Sequence, residues 1–492
     1  MKVLFASSEV WPLLKTGGLA DVSYSLPHAL YEEGTDIRLV MPAYRKVLES
    51  IESFSIAGWL TIELAGKSHN IRVLSITHPE FSIPVWLIDD QHLFDREGNP
   101  YSHPDGYEWP DSAERFTIFA KAVSQLAMDA LNIGWKAEVV HSNDWQTGLV
   151  SAFLEEETER PRRVFTIHNM AYGGYFSHDE FRHLQLPAQW WSANGVEFYG
   201  NFSMLKAGIV YSDAVTTVSP TYAKEICTPE FGCGLEAVLR HRQYKLSGIL
   251  NGIDTNAWNP SSDSLIPYHF SEKRRNPGKR KNKKALLEAF GAHVDEKKLN
   301  APLLGLVSRL VEQKGVDMVL EVIPQILANT DATFVLKGSG HGFFENRLRQ
   351  LAAAYPEHVF ISIGYDEAEA HLVEAGSDIF LMPSRFEPCG LNQLYSLAYG
   401  TLPIVHRTGG LADTVMDAYM EDGETLNPEA NGFVFTPPTT EALYQSIEKA
   451  LDLYAQKTHW NHLQRNAMNG DYGWTVSAQA YLDIYKNSPN HY

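Results

Sequence analysis

Two stretches in the second half of the chain combine an anion-binding geometry with charged side chains. SRFEPCGLNQLY (384–395) sets Glu387 just before Pro388, Cys389 and Gly390, and a helical pattern opens at about Leu391. Backbone N–H groups at a helix start favour anions. A carboxylate there can accept a sugar hydroxyl or stabilise a cationic centre; the plainer reading of Glu387 is a helix-start charge. Cys389 has the setting of a thiolate nucleophile, but no base accompanies it locally. LVSRLVEQKG (306–315) adds Arg309 and Lys314 after an apolar run. Arg offers phosphate a planar fork and Lys a compact charge. The plainer reading is two surface cations, five residues apart and on no shared helix face; their place past a strand favours the functional one.

The first half carries matching clusters. HSNDWQTGL (141–149) places Asp144 and Trp145 after one apolar run, and TIHNMAYGG (166–174) places His168 and Asn169 after the next. Asp, His and Asn suit sugar hydroxyls, and a Trp ring can stack on a pyranose. One phrase occurs almost twice: KTGGLADV (15–22), with Lys15, Gly17 and Gly18, and RTGGLADTV (407–415). Paired glycines before a helix let backbone N–H groups approach an anion. Lys15 favours phosphate contact for the first copy, whereas the second is compatible with a structural turn.

These residues need a scaffold that brings strand ends together. KVLFA (2–6), a glycine loop, a helix over about 19–33 ending at Gly34, and DIRLVMP (36–42) form a βαβ unit, which predicts a parallel, doubly wound sheet. Strand-like runs follow at 71–76, 85–89, 137–142, 163–168 and 214–219. A second alternating series has strands at 302–308, 332–338, 358–364, 378–384 and 401–407, with helices at about 317–327, 342–354, 366–376 and 391–399. Two doubly wound lobes are expected: 1–245, 246–460, and a helical segment 461–492 packing back toward the first. Ligands of such sheets bind at the carboxyl ends of the strands, and the cleft between two lobes is the default site.

Composition excludes several classes. The 492 residues exceed one ordinary core. A formal net charge of −19 disfavours nucleic acid and anionic membranes as partners. The local exception, KRRNPGKRKNKK (273–284), reads as a solvated linker leading into a helix. Three cysteines form no CxxC pair, which fits a reduced cytoplasm. No signal peptide, membrane span or transit peptide is visible. No HExxH, clustered His/Cys spacing or Asp-x-Asp pair advertises a metal; His178 and His183 read as scattered histidines.

Taken together, KTGGLADV, SNDWQTGL, TIHNMAYGG, TPEFGCGLE (228–236), ILNGID (249–254), VSRLVEQKG and SRFEPCGL closely resemble the motifs of bacterial glycogen synthases and of the catalytic region of starch synthases, in order and over essentially the whole chain. The resemblance implies a GT-B fold: two doubly wound Rossmann-like α/β domains facing a deep inter-domain cleft. It implies transfer of glucose from ADP-glucose, a co-substrate, to the non-reducing end of glycogen or a malto-oligosaccharide, with retention of configuration and with no metal or other cofactor. Carried over residue by residue, Lys15, Gly17 and Gly18 face the donor phosphates and sugar, with Asp21 and Asn251 nearby. Arg309 and Lys314 neutralise the departing diphosphate, and Tyr365 stacks on the adenine. Glu387, Cys389, Gly390 and Leu391 hold glucose hydroxyls and phosphates. Asp144, His168 and Asn169 line the sugar and acceptor side; Tyr101 and Trp145 are acceptor platforms. Asn392 stands where the family often has Thr, so an amide replaces a hydroxyl near phosphate. Tyr395 stands where the wider superfamily has a second acid, as it does in the synthases resembled. The alternatives are a UDP-sugar transferase or glucan phosphorylase on the same fold, or a glucan-binding protein without activity; the last would need no phosphate cations.

Overall fold

The computed structural model describes residues 1–421 and 425–487. The chain forms two compact units, Met1–Asn251 with Trp474–Tyr492, and Gly252–Gly473. The segment anticipated as one cap, 461–492, is thus divided. The helix Lys457–Met468 lies in the second unit, where Trp460 joins its core. The helix Thr475–Lys486 packs into the first, and residues 488–492 lie outside the described residues.

In the first unit, KVLFA is β1 (Lys2–Ala6), buried from Val3 onward, and the helix Gly18–Glu32 leads to β2 (Asp36–Pro42) in parallel register. Val22, Leu26 and Leu30 recur every fourth residue and are all buried, giving the helix its apolar face. Further strands are β3 (Phe54–Leu64), β4 (Lys67–Ile76), β5 (Val85–Asp89), β6 (Val139–Asn143), β7 (Arg162–Ile167), β8 (Tyr175–Ser177), β9 (Glu197–Phe198), β10 (Asn201–Ser203), β11 (Ala214–Thr217) and β12 (Leu246–Gly248). The main sheet runs β12-β11-β7-β6-β1-β2-β5-β4-β3 and is parallel from β12 to β5. It ends in two antiparallel strands: β4, read from the sequence as 71–76, and β3, which the sequence reading lacked. A register shift between Ile56 and Gly58 breaks the alternation of β3, and Phe54, Ile56 and Trp59 are exposed, which hides its amphipathic signal. The C-terminal helix is pinned to this sheet: the Tyr485 hydroxyl lies 2.6 Å from His141 Nδ1, and His141 Nε2 lies 2.6 Å from the Thr166 hydroxyl.

In the second unit, β13 (Leu303–Leu310), β14 (Thr333–Gly340), β15 (Val359–Ile363), β16 (Ile379–Met382) and β17 (Leu402–His406) follow the sequence pattern closely. A small hairpin, β18 (Met420–Glu421) and β19 (Thr425–Leu426), precedes β20 (Phe433–Phe435). The sheet order β15-β14-β13-β16-β17-β20 is the doubly wound 3-2-1-4-5-6 arrangement, parallel throughout.

The basic stretch 273–284 is not a solvated linker. It forms much of the helix Arg275–Ala289, and Arg275, Lys279 and Lys283 are buried. Lys279 Nζ donates to the carbonyls of Ala375 (3.1 Å) and Tyr399 (3.2 Å), at the C-terminal ends of two helices, and to the Thr401 hydroxyl (2.6 Å). Helix C-terminal carbonyls carry partial negative charge and welcome a cation. Burial pulls this ammonium down to about 7. Lys283 pairs with Asp378 at 2.6 Å. Three of the charges read as a solvated run are internal struts, while Lys273, Arg274, Lys281 and Lys284 are exposed. Among the described residues no helix is long and apolar enough to cross a membrane.

The winding direction reverses between β1 and β6 in the first sheet, and between β13 and β16 in the second. Parallel sheets bind ligands at the carboxyl ends flanking such a reversal.

Candidate active site: two strand-end clusters

The first cluster follows β1, β6 and β7. Glu9, which the sequence reading passed over, is buried three residues past β1. Its carboxylate accepts hydrogen bonds from Thr16 N (2.7 Å), the Thr16 hydroxyl (2.5 Å), Gly17 N (3.3 Å) and the Tyr101 hydroxyl (2.5 Å). One buried acid therefore fixes both the glycine loop and Tyr101. The only signal in the sequence is a charge inside the otherwise uncharged strand end FASSEVWP. Lys15 Nζ donates to Asp21 Oδ1 at 2.8 Å. Tyr101 is half-buried, its hydroxyl also 2.9 Å from that of Ser8, so its ring is rigidly held.

The two glycine phrases have opposite surroundings. Gly17 is extended (φ −158°), and among the described residues, its two chain neighbours apart, no atom lies within 4 Å of where its Cβ would stand. Neither conformation nor packing among the described residues calls for glycine there. Gly409 has φ +44°, and a Cβ on it would overlap the Glu387 carbonyl oxygen; one on Gly410 would overlap that of Cys389. The second copy is glycine-rich because it runs against the EPCG backbone, with Gly410 N donating to the Glu387 and Pro388 carbonyls.

Past β6, Asp144 adopts φ +57°, a strained conformation for a residue with a Cβ. Its Oδ1 accepts from His168 N at 2.7 Å. Burial pushes its carboxyl up to about 7, against the backbone donors of His168 and Asn169 that pull it down. Asn143, fully buried, donates from Nδ2 to the Ala6 carbonyl (3.0 Å), so its Oδ1 faces His168 Nε2 at 2.9 Å. That assigns the proton to Nε2 and makes Nδ1 an acceptor for a hydroxyl. Burial pulls the His168 imidazole down to about 3, so it is neutral at physiological pH. Asn169 spends its Oδ1 on Ala171 N (3.0 Å). Trp145 stands edge-on to Phe116, and a Cβ on Gly174 would come within 2.5 Å of its ring. Asn251, the last residue of the first unit's long segment, is buried, and its Oδ1 has no hydrogen-bond partner among the described residues.

The Asp144 environment gives a test by pH. The native group holds its proton to about pH 7, whereas an unfolded Asp loses it near 4. Between those values the native state binds more protons than the unfolded one, so this group's contribution to stability falls as pH rises. His168 and His141, both pulled down to about 3, act oppositely and lose stability as pH falls below about 6.5. Asp144→Asn keeps an acceptor for His168 N and removes only the first effect. Thermal melts are expected to show the variant gaining on wild type from pH 4 to 8, by roughly 1–4 kcal/mol at the upper end. A constant difference across that range would contradict the buried-acid account.

The second cluster stands at the β13/β16 reversal. Lys314 Nζ lies 2.5 Å from Glu387 Oε2, which also accepts from the Ser384 hydroxyl at 2.9 Å. Glu387 is buried, and its Oε1 makes no hydrogen bond among the described residues, leaving that atom for a ligand's hydroxyl. The two segments are zipped together: Arg385 N donates to the Gln313 carbonyl (2.8 Å) and Gln313 Nε2 to the Phe386 carbonyl (3.2 Å). Arg385 also clamps Asp317 through two bonds of 2.8 and 2.6 Å. Gly315 (φ +70°) is needed because a Cβ there would overlap the Pro383 carbonyl. Gln313, Asp317 and Arg385 are positioning residues the motif reading missed.

Arg309, at the end of β13, is exposed, and its guanidinium makes no hydrogen bond or ion pair among the described residues. Asn392 Nδ2 donates to the Val307 carbonyl at 2.7 Å, so the amide in place of the common Thr ties the helix Asn392–Ala398 to β13. Gly390 has φ +74° ahead of Leu391, the helix cap, and Cys389 is buried. Tyr365 is 75% exposed just past β15. Among the described residues, no group of three or more His, Cys, Asp or Glu side chains is placed to hold a metal ion.

A family model described as the starch synthase catalytic domain matches residues 2–241, and one described as glycosyl transferases group 1 matches residues 292–467. The chain is 51% identical over 490 residues to the glycogen synthase of Hydrogenovibrio crunogenus, covering 99% of each. It is 48% identical over 488 residues to that of Cellvibrio japonicus, again covering 99% of each. The catalytic domain of starch synthase IV from Arabidopsis thaliana, bound to ADP and acarbose, superposes with a TM-score of 0.88 at 32% identity, over 100% of this chain and 99% of that one.

Proposed function

Since the chain belongs to the glycogen and starch synthase family of glycosyltransferases, we propose that it moves glucose from ADP-glucose to the non-reducing end of an α-1,4-glucan, with retention of configuration. The observation that carries this reading is the Lys314–Glu387 pair, 2.5 Å apart at the β13/β16 reversal, with Arg309 at the end of the same strand. The pair couples a phosphate cation to an acceptor for sugar hydroxyls. The ADP held by the Arabidopsis relative supports an adenine donor, and its acarbose supports a saccharide acceptor.

The bond that breaks joins the anomeric carbon to a phosphate oxygen. Positive charge then builds on the sugar and negative charge on the departing ADP. Arg309, Lys314 and the N–H groups around Gly390 meet the negative charge with donors already in place. Glu387 Oε1 accepts a glucose hydroxyl, and the neutral His168 accepts another at Nδ1. The acceptor hydroxyl attacks from the face ADP leaves, and a phosphate oxygen takes its proton. Lys15, Gly17, Gly18 and Asp21 approach the donor; Asn169 and Asn251 complete its polar lining. Tyr365 stacks on the base, and Trp145 and Tyr101 serve the acceptor. No protein nucleophile is required, in keeping with the burial of Cys389. This reading assigns the enzyme to the cytoplasm.

Labelled ADP-glucose and a maltotetraose primer test this directly. The expected product is a ladder growing one glucose at a time, with label at the non-reducing end. Free glucose as the sole labelled product, or no product, would refute it.

A further inference from the structure

We propose that Trp258 is a positioning residue for the donor site: it closes a buried circuit that fixes the helix Asn392–Ala398, and through it the turn that carries Glu387. The proposal rests on the donor reading above. It starts from a sandwich of three rings in the second unit. The Trp258 indole lies between the Tyr395 ring, 3.7 Å away with planes at 9°, and the His371 imidazole, 3.6 Å away at 17°. A face-to-face pair is the less favoured aromatic geometry, so the surroundings must hold this one in place.

The three rings come from distant parts of the chain. Trp258 follows the ILNGID stretch, His371 lies on the helix Glu367–Gly376, and Tyr395 is the fourth residue of the helix Asn392–Ala398. Trp258 N donates to the Asp254 carbonyl (2.9 Å), and Asp254 Oδ1 accepts from Asn256 N (2.9 Å) and Ala257 N (3.3 Å), so ILNGID ends in a turn that presents the indole. Hydrogen bonds close the circuit behind the rings. His371 Nδ1 lies 2.7 Å from Asp263 Oδ2, and the Tyr399 hydroxyl donates to the same oxygen at 2.5 Å. Tyr399 N donates back to the Tyr395 carbonyl at 3.1 Å. Asp263 and His371 are buried. Burial works against the Asp263 carboxylate, yet the His371 and Tyr399 donors outweigh it and hold its pKa below the ordinary value. A carboxylate only accepts, which puts the His371 proton on Nδ1. A satisfied buried network of this kind specifies one arrangement, where apolar filling tolerates several.

The helix carries that constraint to the site. Its seven residues make a rod roughly 10 Å long. Tyr395 and Tyr399 fix its rear. At its front, Asn392 ties it to Val307 of β13, and the buried Gln393 donates from Nε2 to the carbonyls of Cys389 (3.0 Å) and Gly390 (3.1 Å), in the turn that follows Glu387. Glu387 in turn holds Lys314. A slip of the sandwich therefore shifts the turn on which both the acid and the cation depend, and a misplacement of about 1 Å can cost about 10²-fold in rate. Trp258 acts through Tyr395, not on the substrate.

Trp258→Leu keeps apolar bulk and removes the flat surface, whereas Trp258→Phe keeps a smaller flat ring. Both are assayed well below their melting temperatures, with folding checked by circular dichroism. Trp258→Leu is expected to lower kcat about tenfold and to weaken binding of ADP, read by calorimetry, about tenfold, with the apparent KM for glycogen at its wild-type value. Trp258→Phe retains most of both. Tyr395→Leu matches Trp258→Leu, and the double variant is little worse than either, because both break one circuit. A lower melting temperature with wild-type kcat and ADP affinity would overturn the proposal and leave Trp258 a core residue. Equal losses in Trp258→Phe and Trp258→Leu, or additive losses in the double variant, would overturn it too. Should Trp258→Leu not fold, Trp258→Phe and Tyr395→Leu decide by the same readouts. Wild type that binds ADP but transfers nothing would remove the enzymatic reading, and the ADP affinities would still decide this one.

Discussion

Lys314→Ala and Glu387→Ala are each expected to lower kcat by a factor of about 10² or more, with the fold retained. Lys314 is the cation closest to Glu387, and charge on the leaving diphosphate develops only as the glycosidic bond opens. An interaction made in the transition state lowers kcat when lost, rather than raising KM alone. Glu387 has two duties: Oε2 fixes the ammonium at 2.5 Å, and Oε1 serves the sugar. Its removal therefore loosens Lys314 as well. Residues that act as one unit are not additive, so the double variant should be little worse than the poorer single one. Lys314→Ala also strands a buried carboxylate, which predicts a lower melting temperature than Glu387→Ala gives. Near-normal turnover in both folded single variants would remove the pair from the reaction.

Gly17→Ala and Gly409→Ala are expected to fail in opposite ways. Gly17 has an extended backbone and open space around its Cβ position, so alanine should cost no more than about 1 kcal/mol of stability. The methyl instead occupies the surface a donor approaches, and kcat/KM for ADP-glucose is expected to fall about tenfold or more. At Gly409 a methyl meets the Glu387 carbonyl, a backbone atom that cannot step aside, from a positive φ that alanine disfavours. Destabilisation of roughly 3 kcal/mol or more follows, seen as a lower melting temperature. Kinetics of Gly17→Ala equal to wild type would make the first phrase a turn like the second.

That contrast marks what the sequence could express. Both phrases read alike because a glycine pair records only that side chains are excluded; what excludes them is decided by tertiary neighbours. The second phrase answers to backbone near residue 387, whereas nothing among the described residues, its chain neighbours apart, crowds the Cβ position of Gly17 in the first. The longer strands other than β3 were legible to within a few residues because apolar runs bounded by Gly, Pro and polar residues are local, whereas the strands of two to three residues, β8, β9, β10, β12, β18, β19 and β20, went unread. The carboxyl-end placement of Glu387, Lys314, Asp144 and His168 followed from the longer ones. Strand order was not legible, so the two winding reversals that gather these ends appear only in the fold. β3 was hidden by the irregularity at Gly58. The basic helix was misread because the carbonyls that bind Lys279 belong to residues 375 and 399, far along the chain. Glu9 was overlooked because one acid in a strand-end run carries no motif, although four donors converge on it. The Asn392 amide was anticipated near phosphate; the structure gives its Nδ2 a partner in β13.

Nucleotide release from ADP-glucose and, separately, UDP-glucose, with glycogen primer and EDTA present, tests the central claim most directly. The account predicts fast, primer-dependent ADP release that EDTA leaves untouched, and little release from UDP-glucose. Release that favours UDP-glucose, needs a divalent cation, or is absent with both donors would contradict it.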